Sequence, residues 1–494
     1  MNCKRCGQTV DSVDLFCKHC GVAICVSKAS TDPDLFEYQE NSSEITITGL
    51  NKEKAENCTT IIIPEQIDGK LVTKIGGGAF ADCRNLVSIT IPDCVTTVEG
   101  AVFRSCSSLY HVVLPSGLKE IPASLFTKRT SLYRIDIPES VEIINSYAFF
   151  RCTALSRINI PKSVSSINAS AFAYCDSLIE ISISPENSSL VMEDNVIYSK
   201  DKTTIFACFQ KASCFTIPES VRIISERAFY SAKTNRVFLN HDIDEIGDYA
   251  FCNSDVTQII LKGNVRKLGK HLFDGSEMLT DTFNLGNIIE ISDSMFENCS
   301  EMIQFIVPKN VVSIGTDAFS DCSHLNSVHI CDGVKEIGSK AFSSCIKLDF
   351  IRVPDSVVKI GDYAFSNCIS LREIKLSENI TEISDGMFNK CSLLSKFEIP
   401  ENVERIGNYS FSHCLSLENV VIPDNIKEIG DHAFNDCYGI KTIKFPKSIE
   451  KLGKAILDGC EPERIIVPKH LYSYFEDFID PFYGSNNCTL EVYD

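Results

Sequence analysis

One phenylalanine returns at a nearly fixed interval through most of this 494-residue chain. It stands at Phe80, Phe103, Phe126, Phe149 and Phe172, then after a gap at Phe229, Phe251, Phe273, Phe296, Phe319, Phe342, Phe365, Phe388, Phe411 and Phe434. The steps are 23 residues, with two of 22 and one of 57. Its surroundings return with it: Val353 to Leu371 reads VPDSVVKIGDYAFSNCISL, and the Ile-Gly-x-x-Ala-Phe-x-x-Cys core recurs from coil to coil. A period in the twenties specifies one supersecondary coil, repeated, in which no coil buries its apolar face without its neighbours. Length alone suggests about three compact domains; the period replaces them with one long array and small appendages.

Within a unit, Leu371-x-x-Ile374-x-Leu376-x-x-Asn379 fits the leucine-rich repeat pattern, with alternating aliphatics pointing inward from a strand and a polar residue turning the chain. That polar position recurs as Asn310, Asn402 and Asn425 and as Ser140, Ser163, Ser220, Ser356 and Ser448, short side chains able to satisfy backbone groups that a buried turn leaves over. Pro354, Pro400 and Pro423 follow strands and stop them from lengthening. The Val/Ile-x-x-Ile-Gly segment predicts a second short strand, and Ala-Phe-x-x-Cys a helical or tight turn with Phe inward. The expected fold is mainly β with short helical turns, a solenoid of 23-residue coils.

Twelve of the 24 cysteines hold one repeat position, from Cys83 and Cys106 through Cys299, Cys322 and Cys345 to Cys460. Neighbouring coils stand roughly 4.8 Å apart, so each interior thiol has two equivalent neighbours and no unique disulfide partner. The expected state is reduced and buried.

Residues 1–25 differ in kind. Cys3-x-x-Cys6-Gly7 and Cys17-x-x-Cys20-Gly21 are two knuckles ten residues apart, each offering two thiolates to one ion, with Gly allowing the tight turn. So short a segment has no core of its own, so metal binding would supply its folding free energy. One structural Zn2+ held by Cys3, Cys6, Cys17 and Cys20 is the expected occupant; iron in a rubredoxin-like site and a pair of redox dithiols are the competing readings. Four protein ligands leave no position for a catalytic water. The segment resembles the small zinc ribbons at the N-termini of many bacterial proteins, which implies a structural or interaction module.

Residues 26–44 are polar and aperiodic and predict a flexible linker. The solenoid is expected over 45–470, beginning in an N-terminal cap from Ile45 on, because end coils must hide the open edge of a stack. The 57-residue step predicts an irregular insertion at about 184–214, with Val196–Ser199 and Thr204–Ala207 forming a hairpin around Lys200-Asp201-Lys202. Residues 471–494, rich in aromatics, are expected to cap the C-terminal end.

The IPxxVxxIGxxAFxxC signature resembles the BspA-like leucine-rich repeats of bacterial and some protist proteins. The likeness spans roughly residues 55–470, and it implies a leucine-rich repeat fold and protein-protein or adhesive binding, often at a cell surface.

Acidic residues number 66 against 47 basic, and the net charge of −19 opposes binding to nucleic acid or anionic membranes. No run approaches the roughly 20 apolar residues of a membrane span, and the first residues carry no apolar secretory stretch, so no membrane insertion and a cytoplasmic location are expected. A surface adhesin exported by an unrecognised route is the alternative. The residue between the two inward aliphatics of each strand faces outward, which makes that column the expected contact surface. Phe238, Ile260 and Ile306 put apolar groups on it, and Arg352 and Lys375 form a basic step on an acidic protein. His329 and Cys331 share one strand face, but no set of nucleophile, base and orienting group converges. A non-enzymatic scaffold for protein partners is expected.

Overall fold

In the computed structural model the described residues are 29–30, 32–55, 58–279, 288–395, 397–476 and 488–494. The expected metal ligands Cys3, Cys6, Cys17 and Cys20 lie outside them. The chain divides into two units, one running to Gln210 and taking in Ser225–Ser231, the other made of Lys211–Ile224 and Ala232–Asp494.

Each unit is a stack of coils, and each coil has three sides. In the first unit the long side is a parallel sheet of Thr60–Ile62, Ser88–Thr90 and His111–Val113, with Ile61, Ile89 and Val112 in register. A second side pairs Glu120–Ile121, Ile143–Ile144 and Ser166–Ile167. In the second unit Gln304–Ile306, Ser327–His329, Phe350–Arg352 and Glu373–Lys375 form one such sheet, and Glu290–Ile291, Ser313–Ile314, Glu336–Ile337 and Lys359–Ile360 form the other side. Among the described residues the α-helices are Lys52–Ala55 and Tyr472–Phe475, of four residues each, so the fold is mainly β as the repeat predicts.

The third side is the Phe turn. Buried rings stack coil on coil: Phe319 on Phe342 at 5.2 Å and Phe342 on Phe365 at 5.6 Å, with planes 3° and 2° from parallel. These centroid spacings exceed the roughly 4.8 Å between strands, so the rings are offset, the arrangement an aromatic quadrupole favours. The turn is tight, and 3-10 helical at Ala169–Phe172. In the other coils the residues two before and two after the Phe adopt left-handed backbone, as at Asp317 and Asp321. The next coil holds such a turn: Asp317, Phe319 and Asp321 donate their N–H groups to the carbonyls of Ser339, Ala341 and Ser343. The strain of left-handed L-residues, on the order of 1 kcal/mol apiece, is thus offset by backbone bonds between coils. The glycine after the second strand answers a different need: a Cβ on Gly361 would sit 2.4 Å from the backbone nitrogen of Ser339, so only Gly lets the coils close at that corner.

The cysteine ladder has a hydrogen-bonding role. Cys106, Cys152, Cys345 and Cys368 place Sγ 2.9, 3.0, 3.2 and 3.1 Å from the carbonyls of Phe80, Phe126, Phe319 and Phe342, one coil back. The same Phe oxygen already accepts the N–H of its own coil's cysteine, as Phe342 accepts Cys345, so the thiol engages its second lone pair. Burial pushes the Cys368 thiol up to about 12 and keeps it protonated as a donor. Where the ladder reads serine, Ser276 makes the equivalent bond to Phe251 at 2.6 Å. The buried ladder thiols Cys106, Cys152, Cys299, Cys322, Cys345 and Cys368 are outside disulfides, as expected.

The polar turn ladder also behaves as the pattern predicts. Ser140 and Ser448 donate to the carbonyls of Leu118 and Ile426, and Asn402 and Asn425 to those of Glu378 and Glu401, each one coil back.

The linker expectation for 26–44 is corrected. Ala29–Ser30 pairs with Thr60–Ile61, and Phe36–Glu40 runs antiparallel to Glu44–Leu50, which in turn runs parallel to Lys70–Ile75. Leu35 and Phe36 are buried. This hairpin arm covers the first coil's open edge, and its polar outward residues conceal it from a periodicity search. The insertion holds the expected hairpin of Val196–Ser199 and Thr204–Cys208, plus a third strand, Leu190–Glu193, joined through left-handed Asp194 and Asn195. Val196, Ile197, Tyr198 and Ile205 are buried, so the insertion packs down rather than standing proud. At the other end Thr489–Tyr493 adds a parallel strand to Arg464–Pro468, and Phe475 packs on Phe445 at 4.7 Å.

One residue breaks the thiol ladder. Arg129 occupies the cysteine position between Cys106 and Cys152, only 4% exposed; its Nε donates to Thr127 O at 3.0 Å, but Nη1 is buried without a partner. Burial holds its guanidinium below the usual arginine range. Arg129→Cys therefore removes a desolvated charge and places a thiol at the site that faces Phe103. The variant is expected to gain about 1–3 kcal/mol in urea unfolding, where most core substitutions lose stability.

Candidate functional site

The outward face of the strand side in the second unit carries the candidate surface. Alternation along each three-residue strand turns its middle residue inward and its two flanking residues outward, so Phe350 and Arg352 are exposed around buried Ile351. Stacking then builds two outward columns. Ile306, His329, Arg352 and Lys375 stand in register in one, and Gln304, Ser327, Phe350 and Glu373 in the other. The expected basic step of Arg352 and Lys375 is therefore a pair on adjacent strands. Ile306, 59% exposed, begins the same column.

Phe238 and Ile260 are likewise adjacent in register, with Thr216 before them, and both are half-buried. The strand expected between Ile260 and Ile306 falls at 280–287, outside the described residues. The structure thus supports two patches, Phe238 with Ile260 and Ile306 with the basic column.

The second patch borders a groove of about 630 Å³ lined by Lys309, His329, Cys331, Asp332, Phe350 and Arg352. His329 ends its strand and Cys331 lies two positions further on, beyond the strand; both line the groove. Phe350, 47% exposed, supplies its apolar wall. Neither Lys309 nor Phe350 was among the residues expected from the inward-outward pattern, which followed only one of the two outward columns; counting two positions back from Arg352 reaches Phe350.

Among the described residues, several surface lysines are in ion pairs, while others, such as Lys335, Lys359 and Lys390, are not. The paired lysines meet carboxylates one coil away: Lys119–Glu142 at 3.0 Å, Lys267–Glu245 at 2.6 Å, Lys427–Glu404 at 2.8 Å and Lys451–Glu428 at 2.7 Å. Among the described residues, Lys309, Arg352 and Lys375 make no ion pair. The groove lining sets Lys309 and Arg352 against one carboxylate, Asp332, a small local excess of cations on a chain of net charge −19. Among the described residues, no helix is long and apolar enough to cross a membrane.

No curated protein matches the sequence. Among solved structures, a leucine-rich repeat protein from Bacteroides ovatus is 20% identical, with 93% of this chain and 99% of that chain covered and a TM-score of 0.37. A leucine-rich cell surface protein from Faecalibacterium prausnitzii is 24% identical over 87% of this chain and 95% of its own, at a TM-score of 0.37. The pneumococcal vaccine antigen PcpA is 16% identical, covering 93% and 98%, at 0.32. Residues 73–202, 202–325, 289–418 and 404–489 match the family described as the BspA type leucine-rich repeat region (6 copies). With that match over most of its length, and with coils that stack as the repeat requires, this chain belongs to the BspA-type leucine-rich repeat family.

Proposed function

We propose that the protein is a non-enzymatic interaction scaffold, and that the groove beside Arg352 receives an acidic protein segment carrying an apolar side chain. The observation that carries this reading is the trio of cations without ion pairs, Lys309, Arg352 and Lys375, next to exposed Phe350 and Ile306. Charge complementarity of this kind accelerates encounter and selects partners, while the aromatic supplies contact area at low entropic cost. The Phe238 and Ile260 pair offers a second apolar contact in the same unit.

Capture from cell lysate, quantified by mass spectrometry, tests the proposal. Reversing charge with Arg352→Glu and Lys375→Glu is expected to reduce specific capture at least about tenfold and to remove its sensitivity to salt, since surface charges of this kind act on association. Phe350→Asp is expected to lose the same partners. Equal capture by all variants, with their thermal transitions unchanged, excludes the groove.

We also propose one structural Zn2+ on Cys3, Cys6, Cys17 and Cys20, resting on the two Cys-x-x-Cys-Gly knuckles of the sequence. Replacing Cys3 and Cys17 by Ser is expected to lower bound zinc by about one per chain, by elemental analysis. An unchanged zinc content in that variant contradicts the four-cysteine assignment.

A further inference from the structure

The Phe turn of the second unit holds a group of side chains that neither the interaction surface nor the core explains. The residue after each motif Phe forms a column along this side. From Phe319 to Phe434 it reads Ser320, Ser343, Ser366, Asn389, Ser412 and Asn435, all uncharged. One coil earlier it places two carboxylates in succession, Asp274 and Glu297, and the backbone of their coils is bonded directly, Gly275 N–H to Glu297 O at 2.9 Å. Like charges stacked at coil spacing in a half-buried turn repel, and a compensating cation would relieve them.

The compensating geometry is present. His271 lies three residues before Asp274, and one of its ring nitrogens and one carboxylate oxygen each of Asp274 and Glu297 lie within 4.8 Å of one another. The imidazole ring is held by stacking on Tyr249, with centroids 4.4 Å apart and planes 6° from parallel. Its Nδ1 is buried and has no hydrogen-bond partner, although Asp274 Oδ2 is 3.4 Å away. Asp274 Oδ1 accepts from Asn298 Nδ2 at 3.3 Å, which orients the carboxylate. Burial, followed by the neighbouring Asp274 and Asp317, holds the Glu297 carboxyl above its ordinary range, so negative charge is already crowded at this point.

We propose that His271 Nδ1 and the carboxylates of Asp274 and Glu297 form a binding site for a first-row divalent cation. Metal-ligand distances of about 2.0–2.2 Å put donors about 3–4 Å apart, which these side chains reach by small torsional adjustments. One imidazole with two carboxylates suits Zn2+ or Mn2+; Ca2+ requires more oxygen donors than the site offers. Water completes the coordination. The site is independent of the groove, and its three ligands come from adjacent coils, so a bound ion ties those coils together.

The test uses Mn2+ on the full chain, followed by loss of the free ion's electron paramagnetic resonance signal. Mn2+ favours nitrogen and oxygen donors over thiolates, so the N-terminal cysteines do not compete for it. One saturable equivalent is expected, displaced by Zn2+, unaltered by Cys3→Ser with Cys17→Ser, and weakened at least about tenfold by Glu297→Gln and by His271→Ala. Asp274→Asn serves as a second isosteric variant, and circular dichroism without metal verifies the fold of each. Absence of saturable Mn2+ binding overturns the proposal. So does binding that is lost in Glu297→Gln but retained in His271→Ala, which would reduce the site to surface attraction by carboxylates.

Discussion

Each coil leaves its motif Phe with a carbonyl that must be satisfied inside the stack, and the structure depends on how this is done. Phe342 O accepts the N–H of Cys345 in its own coil and the thiol of Cys368 in the next. The two donors tie intracoil turn geometry to intercoil spacing, so a coil cannot keep its turn without its neighbour. Around this junction the Phe rings, the left-handed turn residues and the closely approaching glycines all require the same separation between coils. That shared requirement explains why a cysteine, rather than a larger aliphatic, recurs: it fills a small apolar volume and still donates a weak hydrogen bond.

The surface follows from the same regularity. Because every side chain is repeated at coil spacing, a chemical choice at one position becomes a column, and exceptions stand out against it. Lysines pair with carboxylates one coil away at several places, and Arg352 and Lys375 stand out by sharing one outward column with Ile306 beside exposed Phe350. The uncharged column after Phe319 makes the succession of Asp274 and Glu297 equally distinct. In both cases the departure from the repeat, not the repeat, points to binding.

Much of this was legible in the sequence. The interval between Phe residues set the coil, the Leu-x-x-Ile-x-Leu alternation set the inward face, and Arg352 beside Lys375 could be read as adjacent before any coordinates. What escaped was whatever depends on through-space partners. The arm formed by Phe36–Glu40 and Glu44–Leu50 has no repeat to betray it, because a cap is selected to end a pattern. Phe350 escaped because its column lies two residues from the one followed, and the acceptor of the thiols escaped because it lies 26 residues back, beyond one period. Arg129 was visible as an exception only once the ladder's interior was known to be closed to water.

The pH dependence of unfolding tests the thiol-carbonyl junction most directly. Burial raises the folded-state value of Cys175 and Cys368 to about 12 from a starting value of 9.0. Their contribution is thus complete below about pH 9 and declines as pH rises toward 12, since the unfolded chain releases the thiol proton first. The unfolding free energy from urea titration is predicted to fall between about pH 9 and 12, by up to about 1.4 kcal/mol per pH unit for each such thiol, with a smaller slope in Cys368→Ser. An unfolding free energy that stays constant across that range, or a slope unaltered by Cys368→Ser, would contradict the account.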